Sequence, residues 1–345
     1  MKTAHDVPPR SVTGTSPELS VIVPCHNGVG RLPRTYESIR RQLTSSMELV
    51  IVDDVSNDGT AELVASWAGS DPRVRLVRRS TAPQRAAARN EGIAAARGNV
   101  VLFLDDDMTL GPGTLATHVQ AHAGRDKWAF LGRIQLDFGD RQMGCFQKYL
   151  IREERFLEQE LAKYATCVPY RLVWTGHFSA KKSDLLEIGG FNEQFTQYGL
   201  EDLELGYRLT RSGVKVGYLA SALALHRTET ASLDTYVARH WHIGAMARVL
   251  ASLYDDEELR VLLKLQPLPL AVGGVPLGLS LLRLEQRLLL RKDFRRVLGS
   301  ASGFALLRGL IKALERLGCN RLLFFLYRLA ADIRYFQGFF GEPAR

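Results

Sequence analysis

Three consecutive carboxylates, Asp105-Asp106-Asp107, close the apolar run Val100-Val101-Leu102-Phe103-Leu104. A buried strand does not hold three charged groups, so the run predicts a strand with the acids at its C-terminal mouth. That is where open α/β sheets bind ligands. Clustered negative charges repel one another unless a cation lies among them. A hard divalent ion that bridges to substrate phosphates is the chemistry such a cluster suits. A solvated acidic turn accounts for the same three residues.

Other positions could do proton or ligand chemistry. Glu201-Asp202 open the stretch Leu203 to Leu209, whose apolar spacing predicts a helix. Carboxylates are favoured at a helix N-terminus as caps, and one that faces a cleft can equally act as a general base. His226 follows the strand-like segment 214–225 and reads either as a structural histidine or as a further metal ligand. Val173 to Lys182 is a short aromatic strand. Its Gly176-His177 turn could offer backbone amides and an aromatic platform to a sugar, or be ordinary strand. His240 and His242 are two apart in a helix-like stretch and face different ways, which excludes a metal pair.

The elements that must position these residues alternate. Leu19 to Val23 and Glu48 to Val52 are two more apolar runs, ending in Pro24-Cys25-His26-Asn27 and in Asp53-Asp54. Helix-like segments, Leu32 to Gln42, Thr60 to Trp67 and Gln84 to Arg97, lie between the strands, and 146–164 reads as a charged helix. Strand–helix alternation predicts an α/β fold with a mostly parallel sheet and helices on both faces. The strand mouths then share one edge, a nucleotide cleft by position. No Gly-x-Gly-x-x-Gly or Walker-type loop follows the first strand, which argues against a dinucleotide enzyme or a P-loop NTPase.

The chain of 345 residues has room for one large domain and an appendage. Its four cysteines are scattered without C-x-x-C spacing, which points to neither a zinc site nor a disulfide framework and fits a reducing compartment. Residues 1–17 are polar and proline-bearing and read as a disordered leader. The formal charge of +8 belongs to the tail, because residues 261–345 carry 14 Lys/Arg against 5 Asp/Glu. Within that tail, Leu265 to Leu282 is uncharged but rich in proline and glycine, which suits an interfacial or re-entrant segment better than a straight span. Basic residues beside apolar helical faces suit an anionic membrane surface. A helical subdomain that docks on the main domain, or on a twin subunit in a homodimer, accounts for the same pattern. No nucleic-acid recognition module is visible, so nucleic acid is not an expected partner.

Taken in order, the motifs resemble the family 2 glycosyltransferases, which have the GT-A fold. The matching pieces are Val21-Ile22-Val23-Pro24-Cys25-His26-Asn27, Val52-Asp53-Asp54-Val55-Ser56-Asn57-Asp58-Gly59-Thr60 and Gln84-Arg85-Ala86-Ala87-Ala88-Arg89-Asn90-Glu91-Gly92. Leu104-Asp105-Asp106-Asp107, Gly190-Phe191 and Gly199-Leu200-Glu201-Asp202 complete the series. The resemblance covers about 18–255. It implies a Rossmann-like α/β/α catalytic domain there, with a donor half of about 18–110 and an acceptor half of about 111–255. The region 256–345 is left as a helical, basic appendage. It also implies a nucleotide-sugar site built from Pro24, Asn27, Asp53, Asp54, Gln84, Arg85, Asn90, Asp105 and Asp106, with Gly176 and His177 beside the sugar. Asp54 would accept from a pyrimidine N3–H, which favours UDP or dTDP donors. Asp107, joined by His226, would hold Mn²⁺ or Mg²⁺ with the diphosphate. Asp202, beside Glu201, would be the catalytic base toward a saccharide or lipid-linked acceptor.

One base without an enzyme nucleophile implies direct displacement with inversion. The Gln-x-x-Arg-Trp signature of processive synthases is absent; its nearest match is Val237-Ala238-Arg239-His240-Trp241. That departure favours transfer of a single sugar. The rival readings are a nucleotidyltransferase, disfavoured because Pro24 to Gly30 has no Lys or Arg, and a scaffold that kept the fold without catalysis.

Overall fold

The computed structural model describes residues 17–140, 142–164, 167–228, 231–265, 288–318 and 320–343. The expected leader and nearly all of the uncharged run 265–282 lie outside the described residues. The first half alternates as expected: β1 (Leu19–Cys25), α1 (Leu32–Arg40), β2 (Met47–Asp53), α2 (Thr60–Ser70), β3 (Val74–Arg78), α3 (Arg85–Ala95) and β4 (Val100–Leu104). Then follow β5 (Met108–Leu110), α4 (Thr114–His122), β6 (Trp128–Asp137), α5 (Cys145–Ala162), β7 (His177–Lys181), α6 (Lys182–Glu187), α7 (Glu201–Arg211) and β8 (Lys215–Arg227). The C-terminal part is helical: α8 (Leu233–Leu253), α9 (Glu257–Leu262), α10 (Lys292–Gly299), α11 (Ala301–Leu317) and α12 (Asn320–Phe339).

The strands form one sheet in the order β3-β2-β1-β4-β7-β6-β8-β5. β3, β2, β1 and β4 are parallel, as their continuous apolar runs require when both faces are covered. Successive residues fall to opposite sides: Val21, Leu49 and Leu102 join one core, Ile22, Val50 and Val101 the other. Beyond β4 the sheet is mixed rather than parallel. β7 enters antiparallel, so its first residue meets the last of β4, and His177 pairs with Leu104. β5 pairs antiparallel with β8, which sets Met108 opposite His226. Both reversals bring residues from the second half of the chain to the β4 mouth.

The last helix docks on the rest of the molecule. α12 crosses α8 at two glycines. A Cβ added at Gly338 would stand 1.9 Å from the Trp241 carbonyl oxygen, and one at Gly244 1.8 Å from that of Tyr335. Only glycine permits backbones to come so close. Trp241 Nε1–H donates to the Glu342 carbonyl at 2.9 Å, and the Tyr335 hydroxyl to that of Leu263 at 2.8 Å. Phe146 and Tyr149 of α5 pack edge-on or tilted against Tyr327 of α12. Among the described residues, no single helix is long and apolar enough to cross a membrane.

Candidate active site

At the ends of β1, β2 and β4 lies a cavity of about 330 Å³ lined by Pro24, Asp54, Gln84, Arg85, Arg89 and all three of Asp105, Asp106 and Asp107, with Thr196, Gln197 and Tyr198. Three non-glycine residues in the flanking loops have left-handed backbones: Asn27 (φ 51°) after β1, Val55 (φ 61°) after β2 and Leu200 (φ 69°) before α7. For a β-branched residue such as Val55 this is a genuine outlier, and such strain gathers where the surroundings hold a functional shape.

Each aspartate of the triplet has its own partner. Asp105 Oδ1 accepts from Arg89 Nη2 at 3.1 Å. Asp106 is gripped at both oxygens by Arg31, at 2.8 and 2.7 Å, and its carbonyl accepts from the Thr35 hydroxyl. It therefore braces the β4 turn against α1 while lining the cavity. Asp107 Oδ2 lies 3.3 Å from His226 Nε2, and the Arg227 N–H donates to its carbonyl at 3.1 Å. Burial works against the Asp107 charge, but the bond and charge of His226 outweigh it, and its pKa falls below the usual carboxylate range. Burial likewise depresses the His226 imidazole, and Asp107 more than reverses this.

Asp107 Oδ1 is buried with no hydrogen-bond partner. A bare carboxylate oxygen beside an imidazole nitrogen is a donor set that a divalent cation fits, with the remaining positions left to substrate oxygens and water. Among the described residues, no group of three or more His, Cys, Asp or Glu could hold a metal unaided.

Arg89 is the centre that sequence reasoning missed. It is buried, and besides Asp105 it reaches Glu201 Oε1 at 3.1 Å and Asp202 Oδ1 at 3.8 Å. Burial alone would lower its pKa, but Asp202, Asp105 and Glu201 hold the guanidinium protonated and raise it. The available signal was its spacing of four from Arg85, which predicts one shared helix face. Glu201 is buried rather than facing the cleft. Burial, then the charge of Asp202, pushes its pKa up against the pull of Arg89. Asp202 is the more open carboxylate, its side chain 26% exposed against 5% for Glu201. One Asp202 oxygen accepts the Thr175 N–H at 3.1 Å and the other the Thr175 hydroxyl.

Asp54 accepts the Gln84 N–H at 2.8 Å and pairs with the buried Arg79. Several expected residues brace the cleft without lining it. Asn27 accepts the Asn57 N–H, and Asp53 the Ser56 N–H. Asn90 exchanges hydrogen bonds with the backbone of Phe191 and donates to Glu193, clamping the Gly190 loop onto α3. Gly176 gives its carbonyl to the Asp105 N–H, and a Cβ there would meet Asp105 Oδ2 at 2.9 Å. His177 does not reach the cleft at all. It is fully buried, with Nε2 3.0 Å from His118 Nε2 and Nδ1 3.2 Å from the Arg133 carbonyl.

A second cavity of about 430 Å³ shares Asp107 and Tyr198 with the first and is lined also by Phe146, Leu150, Tyr236 and Arg239. Tyr198 stands between two guanidinium groups, Arg85 at 4.5 Å and Arg239 at 5.2 Å from its ring centre.

Residues 20–162 match Glycosyl transferase family 2, and residues 155–231 match the family described as the N-terminal domain of galactosyltransferase. The chain is 29% identical over 265 residues to validoxylamine A glucosyltransferase of Streptomyces hygroscopicus subsp. jinggangensis (strain 5008), an alignment covering 66% of this chain and 62% of that protein. It is 32% identical over 193 residues to the GalNAc(5)-diNAcBac-PP-undecaprenol beta-1,3-glucosyltransferase of Campylobacter jejuni, covering 54% and 57%. The chain thus spans about three fifths of the length of these relatives. A mannosyltransferase from Pyrobaculum calidifontis, solved in complex with GDP-Man and Mn²⁺, superposes with a TM-score of 0.55 at 20% identity, over 92% of this chain and 86% of that one. That likeness establishes the GT-A fold. The strand-end aspartates, the acidic start of α7 and these matches fall in one order along the chain, and residues 20–162 carry the Glycosyl transferase family 2 domain.

Proposed function

We propose that the protein is an inverting, metal-dependent glycosyltransferase. It moves a single hexose from a nucleotide-sugar donor of the UDP type to a hydroxyl of a saccharide or lipid-linked acceptor. The observation that carries this reading is the pair Asp107 and His226, with its bare Oδ1, set at the boundary of two adjoining cavities. Asp107 and His226 would hold Mn²⁺ or Mg²⁺, which when bound supplies positive charge to the departing diphosphate.

The rest falls to the chain's own residues. Asp54, at the β2 end, is the hydrogen-bond acceptor for the base. Arg85 offers a guanidinium with no ion-pair partner among the described residues to the phosphates. Asp105, fixed by Arg89, receives the ribose or donor sugar. The second cavity seats the acceptor between aromatic walls. Asp202 takes the acceptor hydroxyl proton as that oxygen attacks the anomeric carbon, and Thr175 aims its carboxylate. Without an enzyme nucleophile the anomeric configuration inverts. The excess positive charge of residues 261–345 supports a peripheral place on an anionic membrane.

The test is donor hydrolysis. The protein is incubated with UDP-, dTDP- and GDP-sugars, with Mn²⁺ or with chelator, beside Asp107→Ala and Asp202→Ala. Metal-dependent release of a nucleoside diphosphate from one donor, lost in Asp107→Ala, is the expected result. Neither release nor binding of any donor would sink the reading.

A further inference from the structure

The C-terminal helices differ in what covers them. α12 is seated on α8 and α5. α11 turns Phe304, Leu307 and Ile311 inward. Its opposite side carries a second apolar strip: Leu306 is 76% exposed, Leu310 47% and Leu317 79%, with exposed alanines and a glycine among them. Leu306, Leu310, Ala313 and Leu317 follow one another at four, three and four residues, which keeps them on one side of the helix. A soluble helix has no use for two apolar sides, and large exposed apolar side chains in one strip mark a contact surface.

The charges beside this strip identify its partner. Lys312 and Arg316 border it on α11, and Arg291, Lys292 and Arg296 lie on or just before α10, beside Val297, which is 67% exposed. None of these five cations has an ion-pair partner among the described residues. Of the acids on α10 and α11, Asp293 is exposed, and Glu315 already accepts from the Tyr327 hydroxyl. α10 and α11 meet at a bend of 64°, and by length and composition the pair passes as a broken span or re-entrant element.

We infer that the outward side of α10 and α11 docks on an anionic lipid bilayer. The leucines enter the acyl boundary, and the lysines and arginines meet the phosphates. A second copy of the chain fits less well: a two-fold contact sets the same patch against itself and brings Lys312 and Arg316 of both copies together. Docking holds the active-site domain at the membrane through α12 and α8. The consequence, an acceptor carried in the lipid, rests on the transferase reading; vesicle binding does not.

The experiment is co-sedimentation of the full chain with vesicles of mixed phosphatidylglycerol and phosphatidylcholine, and with phosphatidylcholine alone. Binding should be at least about tenfold tighter with the anionic lipid. The triple variant L306E/L310E/L317E should bind at least about tenfold more weakly, and K312Q/R316Q should lose most of the preference for anionic lipid. The triple variant should keep its thermal midpoint and its release of nucleoside diphosphate in the absence of vesicles. Absence of vesicle binding, or binding that the triple variant leaves unchanged, would overturn the inference. So would a concentration-dependent dimer that the triple variant abolishes. Vesicle binding by a protein that releases no nucleotide would leave the inference standing and defeat the transferase reading alone.

Discussion

Arg89 Nη1 stands 3.1 Å from Glu201 Oε1, with both side chains withdrawn from solvent. The pair ties α3, which follows the donor loops, to α7, which carries Asp202. Its other arm reaches Asp105. One guanidinium therefore fixes the spacing between the β4 mouth and the proposed base, and its charge balances three carboxylates that would otherwise repel.

Replacing Arg89 by Met should be severe, because it leaves Glu201 buried beside Asp202 without a cation. The expected loss is about 3–5 kcal/mol, measured by urea unfolding. Adding Glu201→Gln to Arg89→Met should recover part of that loss, a coupling that a double-mutant cycle reads directly. If the double variant is no more stable than Arg89→Met alone, the pair is not the source of the cost.

Asp202→Asn keeps the shape that Thr175 holds but removes the proton acceptor. Transfer to acceptor should fall by about 10²–10⁴-fold, while nucleotide binding, followed by calorimetry, stays within a few-fold. Equal losses in both would make Asp202 a structural residue rather than a base.

His226→Ala removes one of two candidate ligands. Mn²⁺ affinity, read by calorimetry in the presence of nucleoside diphosphate, should weaken by at least about 100-fold. His177→Ala, in contrast, should leave Mn²⁺ affinity unchanged, because His177 lies in the buried chain with His118 and not in the cleft.

Much of this geometry was legible beforehand for a simple reason. Five residues such as Val100 to Leu104 can only be a buried strand, so the charged triplet after them can only be at its mouth. His226 was legible in the same way, as the polar residue closing an apolar strand. Arg89 was not, because the depth of a helix position depends on what packs over it, and α7 arrives more than a hundred residues later. His177 was misplaced because a Gly-His turn looks open in sequence, and the antiparallel entry of β7 turns that ring inward. The grip of Arg31 on both Asp106 oxygens had no local sign either, because the two residues lie 75 apart in sequence.

The docking of α12 rests on two missing side chains. Gly338→Leu forces an isobutyl group into the Trp241 carbonyl, and neither helix backbone can yield without losing the aromatic contacts around Tyr327. The expected cost is about 3 kcal/mol or more, seen as a lower thermal midpoint and as early proteolytic cutting between α9 and α12. Gly309→Leu, at a position with open space, is the control and should be nearly silent.

The buried histidines set an acid limit. The Arg133 carbonyl can only accept, so the His177 Nδ1 carries a proton and its Nε2 accepts from His118 Nε2–H. His118 Nδ1 then accepts from the Ser179 hydroxyl, whose oxygen accepts from His122 Nε2–H. Every ring is neutral in this chain. Burial holds His122 and His177 at about 4, and His118 well below its usual value. The unfolded chain binds protons at these rings below about pH 6.5, where the folded chain does not. Stability is therefore complete above that pH and lost as pH falls from 6.5 toward 4, by at most about 3 kcal/mol for each of His122 and His177. Urea midpoints measured at pH 7.5 and pH 5 should differ accordingly. His122→Phe, which keeps the edge-on contact with Phe130, should remove the His122 share of that difference while leaving the neutral-pH midpoint within about 1–2 kcal/mol of the parent. An unchanged slope in His122→Phe would place the acid sensitivity elsewhere, and the carboxylates around Arg89 would be the next group to test.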